Sequence, residues 1–373
     1  MFEEYIQGVK IDLISATKYN ALGKSIQPLW NDKTEAWKQM DMVIIGVPEG
    51  RETGKNHGTR LAADAVRKEL YGLCSPQNNI KIGDLGNIVP GNQFNDTEIA
   101  LQQILEAVLK EGVLPIVLGG GIALAYAQYK AFEPVLKSME VTLLAPYFEL
   151  EEENFLSQIC LHQPNYLFNL NVLGYQSYYV EASALQTLEK MYFNPVRLGV
   201  LRNNLQESEP VLRNTNLLCV DIGVLKQAEA PANYYNNPNG LTSEEICQLC
   251  WYAGVSDSLK SFGLYEINPE FDYRNQTSKL ASQMIWYFID GYYNRKGDVP
   301  GLHQEFLKYR CTLNGNKHDV VFYKSKLSER WWMQVSEGHG DEHAVLVPCS
   351  YADYQMATQG DMPDRFWKAL QKL

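Results

Sequence analysis

Residues 114–132 read LPIVLGGGIALAYAQYKAF, and this stretch decides the fold. The run LPIVLGG (114–120) is apolar on successive residues, the mark of a strand covered on both faces. Three glycines, Gly119, Gly120 and Gly121, then turn the chain into IALAYAQYKAF, where apolar residues return at helical spacing. Strand, tight turn and helix make one βα unit, and the pattern repeats in both directions. The runs MVIIGV (42–47), VTLLAP (141–146), YLFNLNVLGY (166–175), VRLGVL (196–201), LLCVDIGVL (217–225) and SFGLYEINP (261–269) read as further strands. Between them lie the helical stretches TRLAADAVRKELYGL, DTEIALQQILEAVLKEG, SALQTLEKMY, SEEICQLCWYAG and QTSKLASQMIWYFIDGYY. Parallel neighbours need crossover connections, so this alternation predicts an α/β chain: a parallel sheet between two layers of helix. Ligands of such sheets bind outside the carboxyl ends of the strands, which is where functional residues are to be sought.

Two segments fall outside the rhythm. Residues 1–40 precede the first buried strand and carry Trp30 and Trp37, which suggests a packed arm. Residues 41–295 form the α/β domain, and 296–373 an extension that begins at the break Lys296-Gly-Asp-Val-Pro300. Within the extension HDVVFYKS and SERWWMQV alternate like antiparallel or edge strands, and PDRFWKALQKL reads as a terminal helix. Trp331, Trp332, Met333, Phe366 and Trp367 are either a partner-binding face or a small core that docks the extension on the sheet.

Composition sets outer bounds. A chain of 373 residues with 45% hydrophobic and 21% charged residues buries a core without staples. The net charge of -11, from 44 acidic against 33 basic residues, argues against nucleic acid as a partner. The start MFEEYIQGVKIDLI carries acids where a secretory signal carries positive charge, and no apolar run is long enough to span a membrane. The expected setting is cytoplasmic, without membrane insertion. Seven cysteines suit reduced thiols better than a disulfide framework, and the one Cys-x-x-C, Cys247 and Cys250, lies in a helical stretch capped by Thr242 or Ser243.

From residue 41 to residue 293 the chain also matches a family in collinear order. The matching segments include GVPEGRETGKNHGTRLAADAVRKELYGL, with Asn56, Gly58, Arg60, Ala65 and Arg67, then DLGNIV (84–89) and PIVLGGGIALAYAQY (115–129). They continue through LNVLGYQSYY (170–179), LLCVDIGVLKQAEAPA, NGLTSEE and LYEINPEFDYRNQTSKLASQMIWYF. These segments resemble the ureohydrolases (arginase, agmatinase, formimidoylglutamase), most closely the formimidoylglutamase branch. The resemblance implies a three-layer αβα fold with a pair of manganese ions at the strand ends. There the ions deprotonate a shared water for attack on a guanidino or formimino carbon. Their ligands would be a His after the glycine run, an Asp-x-His-x-Asp at the next strand end and an Asp-x-Asp at a later one.

The chain departs from that set. Ile122 stands where the first His is implied, and Leu144, Pro146 and Phe148 stand at the Asp, His and Asp of the middle motif. Shifting the register by one residue recovers only Glu149 as a carboxylate. The last motif reads Asp221-Ile222-Gly223, so Asp221 is the ligand position retained and Gly223 replaces the second acid. Glu266, in YEINP, matches an acid that in the family shapes the guanidino-binding end of the site, although a strand-end Glu can also brace loops.

The expectation is therefore a degenerate metal site with no intact catalytic set and no cofactor. The chain would be a pseudoenzyme acting as a scaffold or partner of another protein, and a homo-oligomer by analogy with the family. An alternative is a formimidoylglutamase-like hydrolase of linear amidines with an altered manganese site drawing on Asp221, Glu149 and Glu266. A second is a small-molecule sensor using the vestigial cleft. The acids Glu151, Glu152 and Glu153 read as a solvated turn or helix start, and His57 and His162 as ordinary surface or capping residues. His339 and His343 are the one histidine cluster, with glycines between them that disfavour a helix.

Overall fold

The computed structural model describes residues 4–9, 20–30, 34–77, 79–301, 306–313, 318–336 and 344–373. Ten strands form the main sheet: Ile6–Gln7 (β1), Gln27–Pro28 (β2), Met42–Gly46 (β3), Ile82–Ile88 (β4), Leu114–Leu118 (β5), Met139–Leu144 (β6), Leu167–Tyr175 (β7), Asn194–Arg197 (β8), Leu217–Asp221 (β9) and Ser261–Tyr265 (β10). Their order is β1-β4-β3-β5-β10-β9-β6-β7-β8, with β2 on β4. From β4 to β8 every pairing is parallel, as the alternating pattern requires. The arm joins this sheet, β1 antiparallel and β2 parallel to β4, and Trp37 is buried.

Strand alternation divides the core into two layers. Ile44, Ile116, Leu144, Leu218 and Val220 face one helical layer, and Val43, Ile45, Val117, Leu143 and Cys219 face the other. The helix Gln276–Tyr293 buries Leu280, Met284, Ile285, Phe288 and Ile289 on one stripe. It packs against the helix Ser243–Gly254, so closely that a Cβ on Gly254 would stand 2.9 Å from the Gly291 Cα. Thr242 caps the second of these helices, in a reciprocal capping box with Glu245.

Two strand readings need correction. Of VRLGVL, the residues up to Arg197 belong to β8, and Leu198–Asn203 is a helix with Leu198 and Leu201 buried one turn apart. Pro195 suits the outer strand of the sheet, and the short run before the glycine carries too little period to separate strand from helix. Ile82–Ile88 is a strand, although Gly83, Asp84, Gly86 and Asn87 break its apolar pattern. Asp84 is tolerated there because Arg67 neutralises it, Nε to Oδ2 at 2.8 Å and Nη2 to Oδ1 at 3.0 Å.

Phe306–Leu313 (β11), His318–Ser325 (β12), Trp331–Val335 (β13) and Val345–Cys349 (β14) form a separate antiparallel sheet in that order. The helices Tyr351–Thr358 and Asp364–Leu370 follow it. Trp331, Met333 and Phe366 are buried in a core that the extension builds from its own residues, Trp332 is buried beside Arg213, and Trp367 is exposed. Arg213 fastens the extension: its Nη1 donates to the Trp331 carbonyl at 2.8 Å and its Nη2 to that of Cys349 at 3.2 Å, and the guanidinium lies 4.5 Å from the Trp332 ring centre. Lys368 and Lys372 reach Asn194 and Asn169. These contacts fall at the starts of β7 and β8, away from the carboxyl ends of the strands. No helix among the described residues is long and apolar enough to cross a membrane.

Candidate functional site

The order β5-β10-β9-β6 sets four strand ends side by side, those followed by Gly119–Gly121, Glu266, Asp221–Gly223 and Ala145–Glu149. After β5 the chain turns through Gly119 and Gly120 at φ of +90° and +77°, a conformation that needs glycine. Gly121 is tight for another reason. A Cβ there would stand 2.5 Å from the Thr53 methyl and 3.1 Å from Glu266 Oε1.

Glu266 organises this end of the cleft. Its Oε1 accepts from the Ile122 amide and its Oε2 from Asn56 Nδ2, each at 2.8 Å. Its carbonyl accepts from Asn56 and Asn233, and its own amide donates to the Gly120 carbonyl. These bonds hold a non-glycine residue at φ +66°, a conformation that costs about 1 kcal/mol or more. Glu266 thus braces the loops around it, while its carboxyl stays next to Asp221. Ile122 takes part through its backbone, with its side chain packed against the apolar layer.

Asp221 ends β9 and caps the short turn Ile222–Val224, its Oδ1 accepting from the Gly223 amide at 2.7 Å. Among the described residues its Oδ2 accepts no hydrogen bond, and neither Asp221 nor Glu266 has an ion-pair partner. Burial first, and then the Glu266 charge, push the Asp221 carboxyl up to about 8, against the Gly223 N–H. Burial raises Glu266 as well. The two carboxyls titrate as a pair that holds one proton near neutral pH.

The segment after β6 runs beside the pair, since β6 neighbours β9 in the sheet. Leu144 is fully buried and pairs with Val220, so Ala145 comes level with Asp221. Phe148 is buried edge-on against the Tyr175 ring, and Pro146 packs near Gly223. Tyr147 is the side chain that meets the acids. Desolvation raises its hydroxyl above the ordinary tyrosine range, and the charges of Asp221, Glu266 and Glu149 raise it further. Of this segment Tyr147 and Glu149 are exposed, Pro146 stands against Gly223 beside Asp221, and Leu144, Ala145 and Phe148 are buried in the apolar layers. Tyr147 and Asn233 had no motif to announce them; alternation along the strand end was the one signal for Tyr147.

The remaining candidates fall elsewhere. Glu151, Glu152 and Glu153 are exposed ahead of the helix Phe155–Leu161, which Asn154 caps. His57 contacts the Gly50 carbonyl, and His162 lies among the rings of Tyr126, Tyr129 and Tyr166. Cys247 and Cys250 are buried on their helix, and burial raises both thiols, Cys247 to about 11. His339 and His343 lie outside the described residues.

A pair of hard divalent ions about 3.5–4 Å apart needs a dense set of carboxylate and imidazole donors. These strand ends offer Ile122, Pro146, Tyr147, Glu149, Asp221, Gly223 and Glu266. Among the described residues no three of His, Cys, Asp and Glu group closely enough to hold a metal ion. This donor set does not fit a dimanganese cluster.

A sequence model of the arginase family matches residues 40–144 and 168–290. The formimidoylglutamase of Rhodococcus jostii is 27% identical over 271 residues, which cover 65% of this chain and 83% of that protein. The formimidoylglutamase of Bacillus subtilis is 22% identical over 301 residues, covering 70% and 91%. Among solved structures, Trypanosoma cruzi formiminoglutamase with Mn2+2 superposes with a TM-score of 0.64 at 19% identity, over 72% of this chain and 98% of that one. Proclavaminate amidino hydrolase from Streptomyces clavuligerus gives 0.59 at 21% identity, over 69% and 93%. With the strand order, the glycine turn and Asp221 and Glu266 at their strand ends, the family match leads to one conclusion: the chain belongs to the arginase family.

Proposed function

We propose that this formimidoylglutamase-like chain works by binding, and that its cleft receives a cationic amidino or guanidino group without the family's two-metal hydrolysis. The observation that carries this reading is the buried pair Asp221 and Glu266, side by side with no cation of the described chain against either. Such a pair is costly to bury, and a planar cation with several N–H donors relieves the cost by displacing the shared proton. Asp221 Oδ2 is the acceptor left to take a donor. Glu266 is fixed by Asn56 and Ile122, and Tyr147 closes the side opposite the glycine turn. The consequence for a cell is a sensor or a partner protein that keeps the ancestral cleft as a ligand switch.

The test is calorimetry with arginine, agmatine and N-formimidoylglutamate, beside hydrolysis assays on the same compounds with and without manganese. Binding by at least one of them, lost in Asp221→Asn, with no manganese-stimulated turnover, is the expected outcome. Turnover that rises with manganese would overturn it.

A second reading is hydrolysis of linear amidines at an altered site. It draws on the relatives named formimidoylglutamase and on the charge of Glu149, which reaches the same Tyr147 hydroxyl as Asp221 and Glu266. That reading requires Glu149→Gln to abolish turnover.

A further inference from the structure

At the opposite ends of the strands, a cavity of about 390 Å³ lies between the starts of β6, β7 and β8 and the C-terminal extension. Its volume falls within the range of small-molecule sites. Part of its wall comes from β14 and the helix Asp364–Leu370, beyond the span that the family match covers, so the family's site does not account for it.

The wall has two characters. One side is apolar and includes Leu173, Val196, Val211 and Val347. The other is charged: Arg365 pairs with Glu207 and Asp353, and Lys368 with Asp364, whereas Glu140 and Lys372 are held apart. Glu140 is 7% exposed and accepts from Asn214 Nδ2 on one oxygen and from Asn169 Nδ2, at 3.2 Å, on the other. The Lys372 ammonium donates to Asn169 Oδ1 at 2.6 Å and lies over the rings of Phe168 and Phe193. Asn169 thus stands between the two, and among the described residues they make no direct ion pair. Burial disfavours both charges: it raises the Glu140 carboxyl, and it lowers Lys372 to about 8 although Glu140 pulls the other way. A direct Glu140–Lys372 contact would relieve both, yet the asparagine keeps them separate on one cavity wall.

We propose that this cavity is a binding site for an α-amino acid with an apolar side chain. The ligand's ammonium meets Glu140, its carboxylate meets Lys372, and its side chain lies on Leu173, Val196, Val211 and Val347. A zwitterion is the one small class that satisfies both charges at once while filling an apolar space. A simple carboxylic acid leaves Glu140 beside a new negative charge, and a simple amine does the same to Lys372.

The experiment is thermal unfolding of the full chain with leucine or phenylalanine at millimolar concentration. The same scan is run with 4-methylpentanoate and 3-methylbutylamine. A saturating amino acid raises Tm by about 2–5 °C, and each one-charge analogue raises it by less than half as much. Lys372→Met removes the ammonium at a half-buried residue, and Val347→Phe fills the cavity, so both abolish the shift. Asp221→Asn leaves the shift unchanged, which separates this site from the strand-end cleft. No shift with any apolar amino acid overturns the proposal. So does an equal shift from the carboxylate alone, or a shift that survives both Lys372→Met and Val347→Phe.

Discussion

Two aspartates sit fully inside the same sheet and are treated in opposite ways. Asp84, on β4, receives two nitrogens of Arg67, the Tyr71 hydroxyl and the Gly86 amide, and nothing of it reaches solvent. Asp221, on β9, receives one backbone amide and faces a second carboxyl. Burial is alike, and pairing is not. Around Asp84 burial alone would depress the Arg67 guanidinium, yet the adjoining carboxylate keeps it raised. Around Asp221 the like charge holds a proton on the pair. The first centre specifies the fold by joining the helix Ala62–Leu70 to the sheet. The second opposes the fold, and that unfavourable burial at a strand end is the observation on which the proposed binding role rests.

The largest effect that this contrast predicts is at the first centre. Arg67→Met leaves Asp84, Tyr71 and Asn87 facing one another without their cation, and removing one partner of a buried pair costs about 3–5 kcal/mol. Urea unfolding of the variant checks it, and an unchanged midpoint would mean that water replaces the guanidinium. The next effect has the opposite sign. Asp221→Asn keeps an acceptor for the Gly223 amide, removes the repulsion from Glu266 and stabilises the chain at pH 7.5 by about 1–3 kcal/mol. Loss of stability in that variant would show that Asp221 is satisfied by something other than the shared proton. The same substitution abolishes amidine binding, so a more stable and less competent protein is the joint expectation.

How much of this was legible in the sequence follows from the same physics. The parallel sheet was, because strands covered on both faces are apolar throughout: Leu114–Leu118 and Leu217–Asp221 fall inside the runs that announced them. β4 was not read as a strand, since its buried Asp84 is compensated by Arg67, a residue 17 positions away whose partnership no local pattern encodes. Asp221 and Glu266 were found through the family resemblance, and the glycine turn through the change from strand to helix pattern at residues 119–121. Tyr147 was missed because no motif marks it, and only the folded segment after β6 sets its hydroxyl within reach of the Asp221 and Glu266 charges. The cavity at Glu140 depends on the extension folding back over the starts of β7 and β8, a tertiary fact with no motif behind it.

The contrast is sharpened last by pH. A carboxyl whose native pKa lies above its unfolded value binds its proton more tightly when folded, so the native state carries more protons than the unfolded chain between the two values. Stability from such a group is present at low pH and falls as pH rises from the ordinary carboxylate range through about 8, where the pair gives up its proton. The slope cannot exceed about 1.4 kcal/mol per pH unit for one proton. Urea midpoints for the wild type and Asp221→Asn between pH 5 and pH 9 isolate this contribution. The two curves should lie close together at pH 5 and diverge as pH rises, with the variant the more stable. A constant gap across that range would mean that Asp221 is ionised throughout, and that its charge is balanced from within the cleft rather than by a proton shared with Glu266.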